Sequence, residues 1–481
     1  MKEVTGQFIY PLDATTTHND NLLTEFELSL KSKLHHALAA KVNGTQQQHH
    51  HAQLHHQIEK QLPQCSTRTV DEIIRGRLYD GETDFEEAED AFFVGDMGEV
   101  VRQHAQFQKL LPRVEPFYAV KCNPDPMVLK TLSGLGTGFD CASKGEIQMA
   151  IEQGTPASKI IYANPCKQAS HIRYAAQHGV TMMTFDNADE LKKIKQIHPN
   201  PQMILRIRTD DSKSICRLGT KFGAAIENVE GLLSVAKELD MEVIGISFHV
   251  GSGCFDASAF GEAVYLARKA FDIGATLGFN FTLLDVGGGF PGNGTDGVTF
   301  PQIAAILGPA IDEHFDKSVR VIAEPGRYYV SSAFTLVVNV IARRVVSRDS
   351  TSSSPPTADD HPSYMYYIND GMYGSFNCIT FDHAVVYPKV LSRNTTYLYR
   401  RNDNHSTNPV PDGFEQPSFQ CSIWGPTCDS IDCIGKEFAL PCLEVGDWMY
   451  FENMGAYTMC AASQFNGFRK SALVYTNTAD L

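Results

Sequence analysis

Three short segments of the chain carry groups suited to one kind of chemistry. Lys121 closes the apolar run PFYAVK, where an ε-amine can form a Schiff base with an aldehyde if its surroundings lower its pKa. The glycines of DVGGGFPG, residues 285–292, let backbone N–H groups approach an anion closely. In EPGR, Glu324 can protonate and hold a pyridine nitrogen, and Arg327 can bind phosphate through two nitrogens. Taken singly, these segments also fit a surface lysine, a tight turn and a structural ion pair. Together they predict a site for pyridoxal 5'-phosphate.

Two further segments place side chains that could complete such a site. His249 in SFHVGSG lies where an imidazole could stack on a pyridine ring, and Ser252 could donate to the phosphate. In WGPTCDS, the thiol of Cys428 stands beside Asp429 and could serve as a proton donor. A buried structural cysteine is the alternative interpretation, which this segment alone would favour.

The elements that position these residues alternate in type between Pro116 and Arg327. Helix-like stretches separate eight strand candidates, and one such stretch begins at a predicted capping box, Ser143 to Glu146. This alternation is typical of the α/β class and predicts a (β/α)8 TIM-like barrel, with a doubly wound open sheet as the alternative. The strand candidates are PFYAVK (116–121), TGFDCA (137–142), KIIYA (159–163), TMMTFD (181–186), MILRIR (203–208), VIGISFHV (243–250), FTLLDVG (281–287) and VRVIAE (319–324).

In a barrel, the C-terminal ends of the strands converge on one face, which carries the active site. Polar residues often end strands for structural reasons alone. A lysine, an arginine, a histidine and a glutamate together at these ends are less common and favour an active site. The predicted strand ends carry Lys121, Asp140, Asn164, Asp186, Arg206, His249, Gly287 and Glu324.

The chain is predicted to have three parts. Residues 1–64 form a leader with the Gln/His tract QQQHHHAQLHHQ, which we interpret as a partly disordered tail rather than a metal site. Residues 97–330 form the barrel. Residues 65–96 and 331–481 form a second, mostly β domain, because SAFTLVVNVIARRVVS, YMYYIND and WMYFENM are β-branched or aromatic. Polar segments 347–363 and 393–418 are predicted to be loops.

Composition excludes several classes of protein. The 481 residues carry a formal net charge of −15, which argues against a nucleic-acid binder. No apolar stretch is long enough to span a bilayer, and no secretory signal is evident. The 12 cysteines are scattered without a CxxC pair, which indicates a cytoplasmic protein with reduced thiols. No metal is expected in the site.

The chain resembles the eukaryotic ornithine decarboxylase family of pyridoxal-phosphate enzymes, which have an alanine-racemase-like fold. The resemblance covers about residues 66–469. It rests on PFYAVKCN, FDCASKGEI, RIRTDDSKSICRLGTKFG, SFHVGSGC, DVGGGFPG, EPGRYYV, NDGMYGSFNC, WGPTCDS and ENMGAYT. It implies decarboxylation of L-ornithine to putrescine and carbon dioxide, the first step of polyamine synthesis.

The resemblance also implies roles for individual residues. Lys121 holds the cofactor covalently, His249 stacks on it, Glu324 pairs with its nitrogen, and Cys428 protonates the substrate Cα. Asp382 and Asp429 bind the distal ammonium of ornithine, next to Phe381, where animal members often have tyrosine. The cofactor-binding set as a whole is Lys121, Asp140, Arg206, His249, Ser252, Gly288, Gly289, Glu324, Pro325, Gly326, Arg327 and Tyr457.

Partners and alternatives follow from the same resemblance. The family forms homodimers whose active sites are shared, with Cys428 and Asp429 reaching across from the partner. Residues 167–198, with Lys192, Lys193 and Lys195, resemble an antizyme-binding region. The alternatives are a sister decarboxylase for lysine, arginine or diaminopimelate, a silent regulatory homologue like the antizyme inhibitors, and a racemase of the same fold. The WGPTCDS segment argues against the racemase.

Overall fold

The computed structural model describes residues 66–81, 87–292, 297–346, 363–393, 396–399 and 418–479. The predicted leader, residues 1–64, lies outside the described residues, as does most of the two predicted loops, residues 347–363 and 393–418.

Eight parallel strands close into a barrel, as the sequence predicts, so the open-sheet alternative is wrong. The strands are β2 (Val114–Ala119), β3 (Gly138–Cys141), β4 (Ile160–Tyr162), β5 (Met182–Phe185), β6 (Gln202–Arg206), β8 (Glu242–Ser247), β10 (Leu283–Asp285) and β11 (Arg320–Ala323). Their closed order is β10-β11-β2-β3-β4-β5-β6-β8. Each strand falls on a predicted apolar run, although β2 begins two residues earlier than predicted and ends at Ala119 rather than Lys121.

Helices follow the barrel strands because their apolar faces repeat at helical spacing and their ends are capped. Asp125 accepts hydrogen bonds from two backbone N–H groups of a helix that has Pro126 in its first turn. The capping box predicted at Ser143 is half formed. Ser143 accepts from the backbone N–H of Glu146, but the Glu146 carboxylate accepts from Ala142 instead of Ser143. The helices are α1 (Val70–Tyr79), α2 (Met97–Leu110), α3 (Pro126–Gly134), α4 (Lys144–Glu152), α5 (Ala169–Gln177), α6 (Ala188–Ile197), α7 (Val229–Glu238), α8 (Ser258–Thr276), α9 (Phe300–His314), α10 (Arg327–Val330) and α11 (Asn377–Phe381).

A second unit is built on a nine-stranded sheet. Strand β1, which precedes the barrel, joins this sheet by pairing with β12 in antiparallel and β19 in parallel orientation. Its strands are β1 (Phe92–Asp96), β12 (Phe334–Val346), β13 (Ser363–Ile368), β14 (Lys389–Arg393), β15 (Thr396–Tyr397), β16 (Phe419–Trp424), β17 (Cys433–Leu440), β18 (Trp448–Phe451) and β19 (Ala472–Thr476).

The prediction of a second, mostly β domain is thus confirmed. The prediction that residues 393–418 form a loop is wrong for the first of these residues, which contribute to two strands. Strand β15 pairs back onto β14 there in antiparallel register. A separate two-stranded sheet, β7 (Ser214–Cys216) with β9 (Ser252–Cys254), lies beyond the barrel strands. No helix among the described residues is long and apolar enough to cross a bilayer.

The inside of the barrel is filled by an apolar layer whose members are buried. Burying a side chain of this size stabilises a fold by about 1.5–3 kcal/mol. Because side chains two residues apart on a strand face the same side, the residue two positions after each layer member also points inward, nearer the C-terminal mouth. The sequence places charged groups there: Arg206 follows Ile204, and Glu324 follows Ile322. The layer comprises Phe117, Ile161, Met182, Ile204, Leu283 and Ile322.

Candidate active site

Lys121 lies at the mouth of the barrel, in a 3-10 turn, Val120–Cys122, that directly follows β2. Its ammonium forms a short ion pair with the Asp140 carboxylate of β3. The Lys121 side chain is 42% exposed and that of Asp140 only 1%. Desolvation alone would lower the pKa of Lys121, but the surrounding acidic groups, Asp140 foremost with Tyr457 and Glu324, together outweigh desolvation and hold the pKa above its ordinary value. The surroundings of Lys121 therefore stabilise its ammonium form, contrary to the lowered pKa considered from the sequence.

Buried charges surround this pair on the inner wall of the barrel. Asp285 and Glu324 are 1% and 7% exposed, and Arg206 is 9% exposed. Burial raises the pKa of Glu324 well above its ordinary value, and the neighbouring carboxylates Asp140 and Asp285 raise it further. The barrel mouth thus holds carboxyl groups that bind protons more tightly than they would in water.

His249 is fixed as an uncharged ring just beyond β8. Its Nδ1 accepts a hydrogen bond from the backbone N–H of Gly251 at 2.9 Å, which leaves Nε2 to carry the proton. Burial lowers the pKa of His249 well below its ordinary value, and Arg206 and Lys121 lower it further. A neutral, immobilised imidazole is a flat surface suited to stacking on an aromatic ring.

The glycine run after β10 leaves a cradle that side chains would close. A Cβ on Gly288 would lie 2.8 Å from His249 Nε2 and 2.8 Å from the Glu324 carbonyl oxygen. Gly289 has a φ of +103°, and a Cβ there would lie 2.6 Å from the carbonyl oxygen of Gly251. Gly326 is also confined, since its Cβ would lie 2.9 Å from Cys122 Cβ, and Pro325 accepts from the backbone N–H of Ala119. At these glycines the backbone packs more closely against its neighbours than any side chain would allow, and backbone N–H groups with no Cβ beside them suit an anion such as a phosphate.

Arg327 links the predicted phosphate site to the predicted substrate site. One of its terminal nitrogens donates to both Asp382 carboxylate oxygens, at 2.7 and 2.6 Å, and to Ser252 Oγ at 3.3 Å. Its guanidinium carbon lies 5.2 Å from the centre of the Tyr457 ring. Tyr457 in turn donates its backbone N–H to the carbonyl of Cys122, the residue after Lys121. The Arg327 guanidinium thus contacts three other predicted site residues, Ser252, Asp382 and Tyr457. The backbone of Tyr457 connects this group to the turn that carries Lys121.

Asp382 is nearly buried, whereas its neighbour Phe381 is exposed. The Asp382 side chain is 8% exposed and Phe381 is 70% exposed. Burial raises the pKa of Asp382, while Arg327 opposes that rise. Asp382 is therefore held at the barrel mouth, and Phe381 presents its ring outward.

Within the described part of the chain, Cys428 and Asp429 make no hydrogen bond to this group of residues. The hydrogen bonds they make within the described part of the chain go to the second unit. The backbone N–H of Cys428 donates to Asn466, and Asp429 accepts from the Tyr373 hydroxyl at 2.6 Å. The Tyr373 and Ile431 hydrogen bonds lower the pKa of Asp429. Cys428 is exposed rather than buried, so the structural-cysteine alternative is wrong.

Sequence reasoning missed two residues that support the site. Asp285 was noted only as the first residue of the glycine segment, although its position two residues after Leu283 predicts an inward side chain. Asp432 was not considered. It is 1% exposed and accepts from the backbone N–H groups of Met372 and Thr427, which braces the turn that carries Cys428. No sequence signal distinguishes Asp432 from a surface aspartate.

Comparison with known proteins agrees with this geometry. A family profile described as "Pyridoxal-dependent decarboxylase, pyridoxal binding domain" matches residues 97–331. The ornithine decarboxylase of Rattus norvegicus is 52% identical over 388 residues, 80% of this chain and 80% of that protein. Antizyme inhibitor 2 of Xenopus laevis is also 52% identical, over 391 residues, 81% of each chain.

A solved structure shares the fold. The arginine decarboxylase of Paramecium bursaria Chlorella virus matches with a TM-score of 0.74 and 35% identity, covering 84% of this chain and 100% of that one. The expected pyridoxal 5'-phosphate site is thus supported by the profile and by the residues at the barrel mouth. The chain belongs to the ornithine decarboxylase family of pyridoxal-dependent decarboxylases.

Proposed function

We propose that this protein decarboxylates L-ornithine to putrescine and carbon dioxide with pyridoxal 5'-phosphate as cofactor. The observation that carries the proposal is the meeting of Lys121, the uncharged His249 and the buried Glu324 around a glycine cradle, with Asp382 beside them. When bound, the cofactor supplies an electron sink for the electron pair left on Cα as carbon dioxide departs.

Lys121 is the residue that would hold the cofactor aldehyde. Its ammonium must lose a proton before the nitrogen can act as a nucleophile, and the Asp140 carboxylate in contact with it is the nearest acceptor. The second oxygen of Asp140 is buried and receives no hydrogen bond from the described residues.

The cofactor phosphate would be held at the end of the site away from Lys121. Arg327 brings a fixed charge, Ser252 a hydroxyl, and the segment around Gly289 brings backbone N–H groups with no Cβ in the way. Tyr457 adds a second hydroxyl, next to the Arg327 guanidinium. These contacts would orient the ring between His249 and the barrel wall.

Substrate selection would rest on carboxylates. Asp382 is available to a distal ammonium, but it already shares its charge with Arg327. A second carboxylate would strengthen the attraction for a cation, and Asp429, whose carboxylate is oriented by the Tyr373 hydroxyl, would supply it. A single added methylene changes discrimination by only about 1–3 kcal/mol. Lysine would therefore be a weaker substrate rather than an excluded one.

The proton donor and the second carboxylate would come from the partner subunit of a homodimer. Cys428 is exposed, and neither it nor Asp429 is hydrogen-bonded to the barrel-mouth residues described here. We propose that Cys428 and Asp429 of one subunit complete the barrel mouth of the other. In that position Cys428 delivers a proton to Cα after carbon dioxide leaves, and Phe381 lies exposed beside the same opening.

Regulatory binding by antizyme is a further element of the proposal. Residues 167–198 fold as α5, β5 and α6. The three lysines of α6 all have partners: Lys192 with Asp189, Lys193 with Glu190, and Lys195 with the Asp240 carbonyl. An antizyme contact here would have to compete with these bonds, and co-purification with antizyme tests it. The free thiols of the described cysteines fit the cytoplasm as the place of action.

Carbon dioxide release from purified protein tests the main proposal. We expect turnover with ornithine, less with lysine, and little with arginine or diaminopimelate. Lys121→Ala should abolish turnover, whereas Lys109→Ala, on an exposed position of α2, should not. A preference for another amino acid would favour a sister decarboxylase. Absence of both turnover and cofactor absorbance would favour a silent homologue like the antizyme inhibitors.

A further inference from the structure

Asn123 connects the turn that carries Lys121 to the second unit. It directly follows that turn and is 1% exposed. Its Nδ2 donates to the Gly455 carbonyl at 2.9 Å, in the segment after β18, and its Oδ1 accepts from the backbone N–H of Asp125 at 3.1 Å. Exchanging the amide nitrogen and oxygen would set acceptor against acceptor and donor against donor, so these two partners fix the orientation of the amide.

The backbone on either side of Lys121 is held from within the barrel. Tyr118, fully buried on β2, donates its hydroxyl to the Asn123 carbonyl at 2.9 Å. Before the turn, the backbone N–H of Ala119 donates to the Pro325 carbonyl at 3.2 Å. The turn is therefore fixed at both ends, and Asn123 is the end whose side chain also reaches the second unit.

The second unit meets this turn through the segment around Gly455. A Cβ on Gly455 would overlap the Val330 carbonyl oxygen, so the backbone lies closer to the end of α10 than any side chain would allow. Tyr457 has a φ of +56°, a left-handed conformation that is costly for a residue other than glycine. Its backbone N–H donates to the Cys122 carbonyl at 2.9 Å. Asn123 and Tyr457 thus each donate one hydrogen bond across the same boundary, in opposite directions.

We propose that Asn123 is a positioning residue that sets the distance between Lys121 and Tyr457. These two residues would hold opposite ends of pyridoxal 5'-phosphate, and a rigid ligand gains from both ends only if their separation matches its length. Loss of the Asn123–Gly455 hydrogen bond would let that separation vary. The inference rests on the proposed function for the identity of the ligand, but the two opposed hydrogen bonds exist without it.

Comparing pyridoxal 5'-phosphate with pyridoxal, which has the aldehyde but no phosphate, tests this role. Asn123→Leu keeps the branched shape of the side chain and removes its hydrogen bonds. We expect affinity for pyridoxal 5'-phosphate to fall roughly tenfold, as for one lost buried hydrogen bond, and affinity for pyridoxal to change by less than about twofold. Absorbance titration of the full-length protein gives the ratio of the two dissociation constants. An unchanged ratio would overturn the proposal.

A milder variant gives the same test with little risk to folding. Tyr118→Phe removes only the hydroxyl that holds the Asn123 carbonyl, and the ratio should fall in the same direction by roughly threefold. Asn339→Leu is the matched control, because Asn339 is also buried, at 4% exposure, and its Nδ2 donates to the Gly446 carbonyl at 3.3 Å. It should lower stability and leave the ratio unchanged. An equal fall in the control would assign the effect to general destabilisation and refute a positioning role.

Amide hydrogen exchange of the full-length protein before cofactor is added measures the link itself. The Tyr457 N–H should exchange about tenfold faster in Asn123→Leu than in the wild type or in Asn339→Leu, because the segment opens more readily. Unchanged exchange would show that Asn123 does not hold this segment, and the proposal would be wrong. If exchange quickens but the wild type binds neither ligand, the link through Asn123 is supported and only the proposed function fails.

Discussion

The Arg327 guanidinium is bound to both oxygens of the Asp382 carboxylate, although the two residues are 55 positions apart in the chain. One residue was predicted to hold the cofactor phosphate and the other the substrate ammonium. Their ion pair, with side chains 19% and 8% exposed, means that the two predicted binding functions would share one electrostatic group. A change at either residue should therefore affect both.

Removing the Arg327 guanidinium tests this coupling. Arg327→Ala should weaken cofactor binding and, by leaving Asp382 buried without its partner, lower the free energy of unfolding by about 3 kcal/mol. Fluorescence titration with cofactor and urea unfolding measure the two effects.

The double variant Arg327→Ala/Asp382→Ala separates the loss of cofactor affinity from the loss of stability. It should recover part of the lost stability, because no unpaired charge remains, but none of the cofactor affinity. Equal stability of the single and double variants would contradict the proposed coupling.

The proposed phosphate site would depend on Gly289. Gly289→Ala should impair cofactor binding strongly, since the added Cβ would lie 2.6 Å from the Gly251 carbonyl oxygen in a backbone of φ +103°. Gly446→Ala is the matched control, with φ +93° and no atom within 4 Å of the added Cβ. It should cost only the backbone strain, roughly 1–3 kcal/mol, and leave cofactor affinity intact. Similar losses of affinity in both variants would refute a steric role for Gly289.

The proposal that a dimer shares its active sites predicts complementation between two inactive variants. Co-expressed Lys121→Ala and Cys428→Ala chains that pair at random should recover about a quarter of wild-type activity, because half of the dimers then contain one intact site of two. Each variant expressed alone should be inactive or misprotonate its product. No recovery in the purified mixed dimer would show that each site uses residues of a single chain.

Acid sensitivity should follow from the buried His104. This residue is 5% exposed and bonded to the Tyr329 hydroxyl, and burial lowers its pKa to about 4, with Lys159 contributing. The unfolded chain binds the proton near pH 6.5 and the folded chain only near pH 4. Stability is therefore complete above about pH 6.5 and falls below it, by up to about 1.4 kcal/mol per pH unit.

Urea unfolding over a series of pH values measures that slope. His104→Gln should flatten it between about pH 6.5 and 4, whereas the exposed His178→Gln should not, since solvent reaches the His178 ring in the folded state. An unchanged slope in His104→Gln would assign the acid sensitivity to other groups.

Sequence reasoning located all eight barrel strands because a buried parallel strand needs a continuous apolar run, and such runs survive in the linear pattern. Strand ends were less predictable: Lys121 lies in a 3-10 turn after β2 rather than on the strand. The pairing of β15 with β14 was missed because β15 is only two residues long, Thr396–Tyr397, and begins a polar stretch that resembles a loop. The capping partner of Glu146 shifted by one residue, to Ala142, which no local pattern specifies.

The order of residue types along the chain was enough to indicate the barrel, the cofactor chemistry and the side chains that meet at its mouth. Those conclusions depend on local apolar periodicity and on functional groups that keep their chemistry in any fold. The Arg327–Asp382 ion pair, the register that sets Asp285 opposite Ile322, and the hydrogen bond of Cys428 to Asn466 were decided only by the tertiary structure. Distances between residues far apart in sequence, and the dielectric around them, arise only when strands and helices pack, and these two quantities set which charges pair and which protons stay bound.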